Sequence, residues 1–483
     1  MSAKNRGSSK GKSRQSGGKG GGQRRGVSGN PQRRAAQLRE SATGDLAYRM
    51  AGGADPAPWW PESHERVLAR ARAASWPEQR AGVEDLTCQL VGGELHDCVQ
   101  RYGEGHHPAQ WLVALTEAAG AALRSSLASD PGDGDDGGDA GDWRGLWSLL
   151  RGISLTAPRT PHEARGGPGL LAHRYFPGIK DPHDTALAEA GKAATLLAAR
   201  GAAALTADGG SRAAGTPLLA RDEYGSRFLL AAPFGYDGED FETAGHWYAW
   251  DIDACWIDAV VGVGRFGSAA EALADWRDAV GPRASGAVLA ECPPELTARL
   301  LRQSLETGPF SEFMRGDEPR DLMLEYYRER RRARELSVSL GGPPDGAAAF
   351  MVDMDKARDE FLEWYAARHG ADAVAPGMAE AVDTITDQWG PHKDIDDLGF
   401  LACSPHRIET AARLIRNGHY GEHARPAIRL LPEWTQWCVE RTGLSGDAAA
   451  RARGAAMSAA AALADASAAV PDHAESVPFR RPE

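Results

Sequence analysis

Apolar positions along most of this chain recur every three or four residues, and in one central stretch the spacing drops to two. The stretch "PESHERVLARARAASW", from Pro61 to Trp76, has a proline suited to a first helical turn. In "PAQWLVALTEAAGAALRSSLA", Trp111, Leu115, Ala119, Ala122 and Leu123 form one stripe. A further helical pattern follows Pro182. The period then changes. "ARDEYGSRFLLAAPF" reads as a hairpin turning at Tyr224–Gly225, and "HWYAWDID" and "WIDAVVGVG" read as strands that end at Gly262 and Gly264. Helical spacing also fits Ile252, Cys255, Trp256, Ala259, Val260 and Val263, but the aromatic and β-branched content favours strands. On a strand, His246, Tyr248, Trp250 and Ile252 share one face, with Asp251, Asp253 and Cys255 on the other. That alternation predicts Trp250 and Ile252 on the packed face and the aspartates facing solvent or a shallow cleft. Next, "GSAAEALADWRDAVG" carries a capping box, Ser268 with Glu271, and stops at Gly281–Pro282.

Helical spacing returns in "EPRDLMLEYYRERRRAREL" and dominates from about Phe350. "SPHRIETAARLIRNG" has Ser404 as N-cap, Pro405 in the first turn and Gly418 as C-cap. The pattern predicts an α+β fold, mainly α, with helical N- and C-terminal regions around a small antiparallel sheet with a packed helix. The expected organisation is a disordered basic tail (1–34), a helical domain (35–128), an acidic Gly/Asp linker (129–142), an α+β domain (143–340), a helical domain (341–468) and a disordered tail (469–483).

Charge sharpens this picture. Residues 1–40 hold eleven Lys/Arg and one acid, a net +10; the remaining 44 bases and 66 acids give −22. The first segment attracts polyanions, whereas the body repels them in bulk. No apolar run is long enough for a membrane span, and the basic N-terminus lacks the apolar core of a secretory signal. The six cysteines are scattered without a CxxC pair, as expected of reduced thiols in a cytoplasmic protein. Eight lysines stand against 47 arginines, and alanine is abundant. In this usage the chain resembles hypothetical proteins of high-GC actinobacteria, which implies a bacterial origin and no particular activity. The order strand, strand, glycine, capped helix at 247–280, with Gly264, Ser268, Glu271, Ala272 and Leu273, is similar to the HicB-type antitoxin module. That similarity implies only antiparallel strands with a helix packed across them.

Two constellations could carry chemistry. His246, Asp251, Asp253 and Asp258 could hold Mg²⁺ or Mn²⁺, since hard cations take carboxylate oxygens and a two-residue spacing aims both at one strand face. The alternative is a sheet with a wet acidic face. The basic helix "YYRERRRAR" offers Arg328, Arg330, Arg331, Arg332 and Arg334 to phosphates, although the interleaved glutamates also fit ordinary surface pairing. Weaker candidates are the His392–His406 stretch, the dipeptide His183–Asp184 of metal phosphohydrolases, the linker aspartates as a calcium loop, and the glycines of "VGVGRFG" as a dinucleotide fingerprint. No GxSxG, Walker A or kinase motif occurs.

The leading expectation is a cytoplasmic, non-catalytic binding or regulatory protein. It needs no cofactor, has a protein partner of unspecified identity, binds polyanion through residues 1–34 and has no membrane association. The alternatives are a nucleic-acid-associated regulator using the tail and the 326–334 helix, and a metal-dependent hydrolase around Asp251 and Asp253.

Overall fold

The computed structural model describes residues 57–100, 108–129, 142–157, 182–202, 211–239, 241, 245–253, 259–301, 320–341, 354–389, 399–417 and 421–469. Among the described residues are 14 helices and six strands, so the fold is α+β and mainly α. The two tails and most of the acidic linker lie outside the described residues.

The N-terminal helices are α1 (Trp60–Ala73), α2 (Arg80–Gln100), α3 (Pro108–Ser129), α4 (Asp142–Thr156), α5 (Pro182–Lys192) and α6 (Ala194–Ala199). All six share one core, containing Val67, Leu95, Trp111, Leu123, Leu150, Ile153 and Leu197. The boundary expected at residue 143 therefore does not separate two cores. Helix α4 carries Trp143, Leu146, Leu149, Leu150 and Ile153 on one stripe, and the first three helices supply the apolar partner for it. Gly152 permits the close approach of α4 to α2, because a Cβ there would stand 1.7 Å from the Thr87 hydroxyl.

The sheet consists of β1 (Ser211–Ala213), β2 (Leu218–Arg221), β3 (Arg227–Tyr236), β4 (His246–Asp253), β5 (Ala259–Phe266) and β6 (Ala290–Glu291). Its order is β5-β4-β3-β2-β6, with β1 also on β3, and every pairing is antiparallel. The β2–β3 hairpin turns where the sequence predicts. Asp222 accepts N–H bonds from Ser226 and Arg227 at 2.7 and 3.2 Å, and Gly225 supplies the left-handed residue. Strand β5 runs through Gly262 and Gly264 rather than ending there, and a bulge between Asp251 and Ile252 shifts its register.

Both sheet faces are covered. Phe228, Leu230, Phe234, Tyr248, Trp250 and Ile252 pack toward α8 (Pro294–Leu300) and α9 (Arg320–Ser339). Leu229, Ala231 and Ala249 pack beneath α7 (Ala269–Val280), chiefly under Ala272 and Trp276. The Ser268 cap forms, with its Oγ accepting the Glu271 N–H at 3.2 Å, and the Glu271 carboxylate reaches back to the N–H of Gly267, one residue before the cap, at 2.9 Å. Gly281 closes the helix at φ +79°.

The C-terminal unit is α10 (Met354–His369), α11 (Met378–Trp389), α12 (Pro405–Asn417), α13 (Ala424–Thr442) and α14 (Gly446–Ala469). Phe361, Trp389, Phe400, Trp434 and Trp437 form its aromatic centre. Tyr224, from the β2–β3 turn, is part of this same core, and Arg451 of α14 bonds its hydroxyl at 3.1 Å and Glu223 at 2.7 Å. Among the described residues, no helix is long and apolar enough to cross a membrane.

Candidate functional site

The aspartates of β4 do not face water. Asp251 points from the strand toward α7. It pairs with Arg227 through two bonds, Nε to Oδ1 at 2.7 Å and Nη2 to Oδ2 at 2.6 Å, and takes a third from Trp276 Nε1 at 2.9 Å. Burial works against the Arg227 charge, but Asp251 outweighs it and holds the guanidinium above its usual range. The expected wet face is thus a covered face, because α7 lies across it and Arg227, one strand away, neutralises the acid.

Asp251 is partly buried. Asp253 is buried, at 4% exposure, and its Oδ2 lies 3.8 Å from Nε2 of His406 at the start of α12. The sequence had assigned these two residues to separate stretches. His246 opens β4 on the opposite face, stacked on Phe234 with ring centroids 6.2 Å apart and 5.6 Å from Tyr236. Side-chain alternation therefore keeps it away from Asp251. Asp258 lies outside the described residues. Among the described residues, no group of three or more His, Cys, Asp or Glu is placed to hold a metal ion. Asp251→Asn should lower unfolding stability by about 1.5–3 kcal/mol, the range for a hydrogen bond to a charged group, read by urea titration. A midpoint equal to that of the unmodified protein would mean that neither the Arg227 pair between β3 and β4 nor the Trp276 bond to α7 contributes to stability.

The arginine helix differs most from expectation. Arg328, Arg331 and Arg332 of α9 are buried, at 2%, 3% and 0% exposure, between the sheet and the N-terminal helices. Arg332 Nη2 bonds both carboxylate oxygens of Glu84 on α2, at 2.9 and 2.6 Å, and Nη1 bonds Glu335 at 3.1 Å. Its guanidinium lies 5.2 Å over the Phe234 ring. Burial opposes the charge, yet Glu84 and Glu335 raise the Arg332 pKa above its ordinary value. Arg328 bonds Asp85 at 2.5 Å and Glu325 at 3.0 Å, while Arg331 bonds Glu335 at 2.7 Å and the Ala157 carbonyl at 3.2 Å. Arg330 and Arg334 are half-buried and also engaged in contacts. Arg328, Arg331 and Arg332 are therefore turned away from solvent rather than offered to phosphates. A buried cation persists only beside its counter-charge, and α2 supplies that charge from Glu84 and Asp85.

The glutamates on α9 complete the layer. Glu329 accepts from Trp250 Nε1 at 2.9 Å, and Glu325 accepts from the Tyr248 hydroxyl at 3.1 Å. Arg265 of β5 reaches Asp85 as well. Sequence reading missed Glu84, Asp85, Arg227 and Trp276. The signal available was "VEDL", two acids inside an otherwise apolar stretch of α2.

The remaining candidates resolve simply. His183 is buried at the entry of α5, with Nδ1 2.7 Å from the Ser154 carbonyl oxygen. Gly262 and Gly264 belong to the antiparallel β5 rather than to a βαβ turn. His392, Asp394, Asp396 and Asp397 lie outside the described residues, as do the linker aspartates Asp130 to Asp139. Cys88, Cys292, Cys403 and Cys438 are buried, and burial pushes the Cys88 and Cys403 thiols up to about 12. Neither thiol is a nucleophile near neutral pH.

No family model, curated protein or solved structure matches the chain.

Proposed function

We propose that this chain is a cytoplasmic, non-catalytic binding or regulatory protein, and that its ligand-facing chemistry is positive charge directed at a polyanion. The observation that carries the reading is the use of acid–base groups inside the fold. Asp251 is matched by Arg227, and Glu84 and Asp85 are matched by the α9 arginines. Positive charge is instead concentrated at the N-terminus, where residues 1–34 contain ten Lys/Arg and no acid. Such a segment releases counterions on meeting phosphates. The scattered cysteines, four of them buried among the described residues, fit a reducing compartment.

The test is binding of the full chain to duplex DNA, followed by fluorescence anisotropy across a salt series. The ten basic residues of 1–34 are changed to glutamine in a second protein. Binding should weaken steeply with salt, and the neutralised protein should show a shallower salt slope. Absence of duplex binding by the unmodified chain at low salt would overturn the polyanion reading. A bound divalent ion lost together with a hydrolytic activity on Asp253→Asn would replace it with an enzyme.

A further inference from the structure

Outside residues 1–40 the chain is strongly acidic, with 44 bases and 66 acids, so a basic surface there stands against the background. One occurs where α12 leads into α13. Arg413 and Arg416 are exposed near the end of α12, on the stripe that starts with His406 and Glu409. Arg425 and Arg429 are exposed near the start of α13. Along their axes the two pairs are separated by ~4.5 and ~6 Å, from the 1.5 Å rise per residue. Both pairs lie at one end of the bundle, because only residues 418–423 separate the helices.

These four arginines differ from those of α9. None of the four has an ion pair or hydrogen bond among the described residues, whereas Arg328, Arg331 and Arg332 are each held by carboxylates. The nearby acids on these elements are Glu409, on the same α12 stripe, Glu422, which faces His423 at 4.0 Å, and Glu433, one turn beyond Arg429, which faces His369 at 3.3 Å. Ile408, Ile415, Ile428 and Leu431 anchor both helices in the core beneath, so the cations stand on packed elements.

We propose that the α12–α13 corner is a nucleic-acid contact surface, with Arg413, Arg416, Arg425 and Arg429 meeting backbone phosphates without reading sequence. Arginine suits this role because its fork of N–H donors matches phosphate oxygens. A membrane surface fits less well, since interfacial binding inserts apolar side chains between the charges. The exposed large apolar residues, Leu196, Phe241, Val288, Val338 and Met457, all lie on other elements. The proposal rests on the polyanion reading but assigns it a site separate from residues 1–34.

The experiment uses the full chain, a variant carrying Arg413→Gln, Arg416→Gln, Arg425→Gln and Arg429→Gln, and a matching variant with lysine at all four. The probes are duplex DNA of ~30 bp and vesicles containing phosphatidylserine. The glutamine variant should bind duplex at least ~10-fold more weakly, with a salt slope shallower by roughly 3–4, at about 0.9 per phosphate contact. The lysine variant should keep most of the affinity, and both should melt like the unmodified protein. A glutamine variant with unchanged duplex affinity and slope overturns the proposal. If neutralising residues 1–34 abolishes binding at the same time, the polyanion reading survives without this site. Vesicle binding that is lost in the glutamine variant, with duplex binding intact, transfers the surface to a membrane and also overturns it.

Discussion

Arg332→Met should destabilise the protein by about 3–5 kcal/mol, the largest single-residue loss expected from the charged layer. The substitution preserves much of the side-chain length but leaves Glu84 fully buried, with only the Arg328 guanidinium at 3.9 Å in place of the cation that bonds both its oxygens. Glu335, which Arg332 also bonds, keeps Arg331 at 2.7 Å, so the cost concentrates at Glu84. A double variant, Glu84→Gln with Arg332→Met, removes the stranded charge and should recover a large part of the loss. Urea unfolding of the two single variants and the double variant gives the coupling directly. Additive losses would mean that the pair does not act as a unit.

Acid should destabilise this protein earlier than carboxylate protonation alone would. His64 and His246 are buried, at 7% and 2% exposure. Burial is the main cause in both. It pushes His64 down to about 4, against the Trp111 carbonyl, and His246 down to about 2 with help from Arg332, Arg265 and Arg328. Above pH 6.5 both rings are neutral whether the chain is folded or unfolded. Below it the unfolded chain binds protons that the native sites refuse. Stability therefore falls with pH, by about 1.4 kcal/mol per unit for each ring, and by pH 5 the two together remove roughly 4 kcal/mol. His246→Phe places a ring of similar size beside Phe234 and Tyr236, and it removes two nitrogens that have no hydrogen-bond partner among the described residues. Between pH 8 and pH 5 this variant should lose about 2 kcal/mol less than the unmodified chain. Equal losses would place the acid sensitivity at groups other than His246.

What the sequence made legible is local. The turn at Tyr224–Gly225, the Ser268 cap, the Gly281 stop and the side-chain alternation of β4 each depend on residues within a few positions, and each appears in the structure. Trp250 sits fully buried on the packed face, as alternation requires. The environment of the other face was not legible. An acid on a strand has the same pattern whether water or Arg227 neutralises it, and the cover comes from Trp276, 25 residues later. The arginine helix misleads for the same reason. "YYRERRRAR" has the charge alternation of a surface helix, and its counter-charges on α2 lie 243 and 248 residues away. The α12–α13 arginines escape notice in the opposite way. They form no basic run, and only the turn between the two helices brings the pairs to one end.

The distance between Glu84 and Arg332 also has a consequence in time. Glu84 leaves the ribosome 248 residues before the arginine that neutralises it. At roughly 5–20 residues per second, the N-terminal helices wait roughly 12–50 s before α9 is available. During that interval α2 carries two carboxylates on the face that α9 will later cover, and the nascent bundle gains by keeping that face in water. The N-terminal helices can build their shared core in that interval, but the charged face of α2 is completed only once α9 has been made. Its final docking is a late event in biosynthesis.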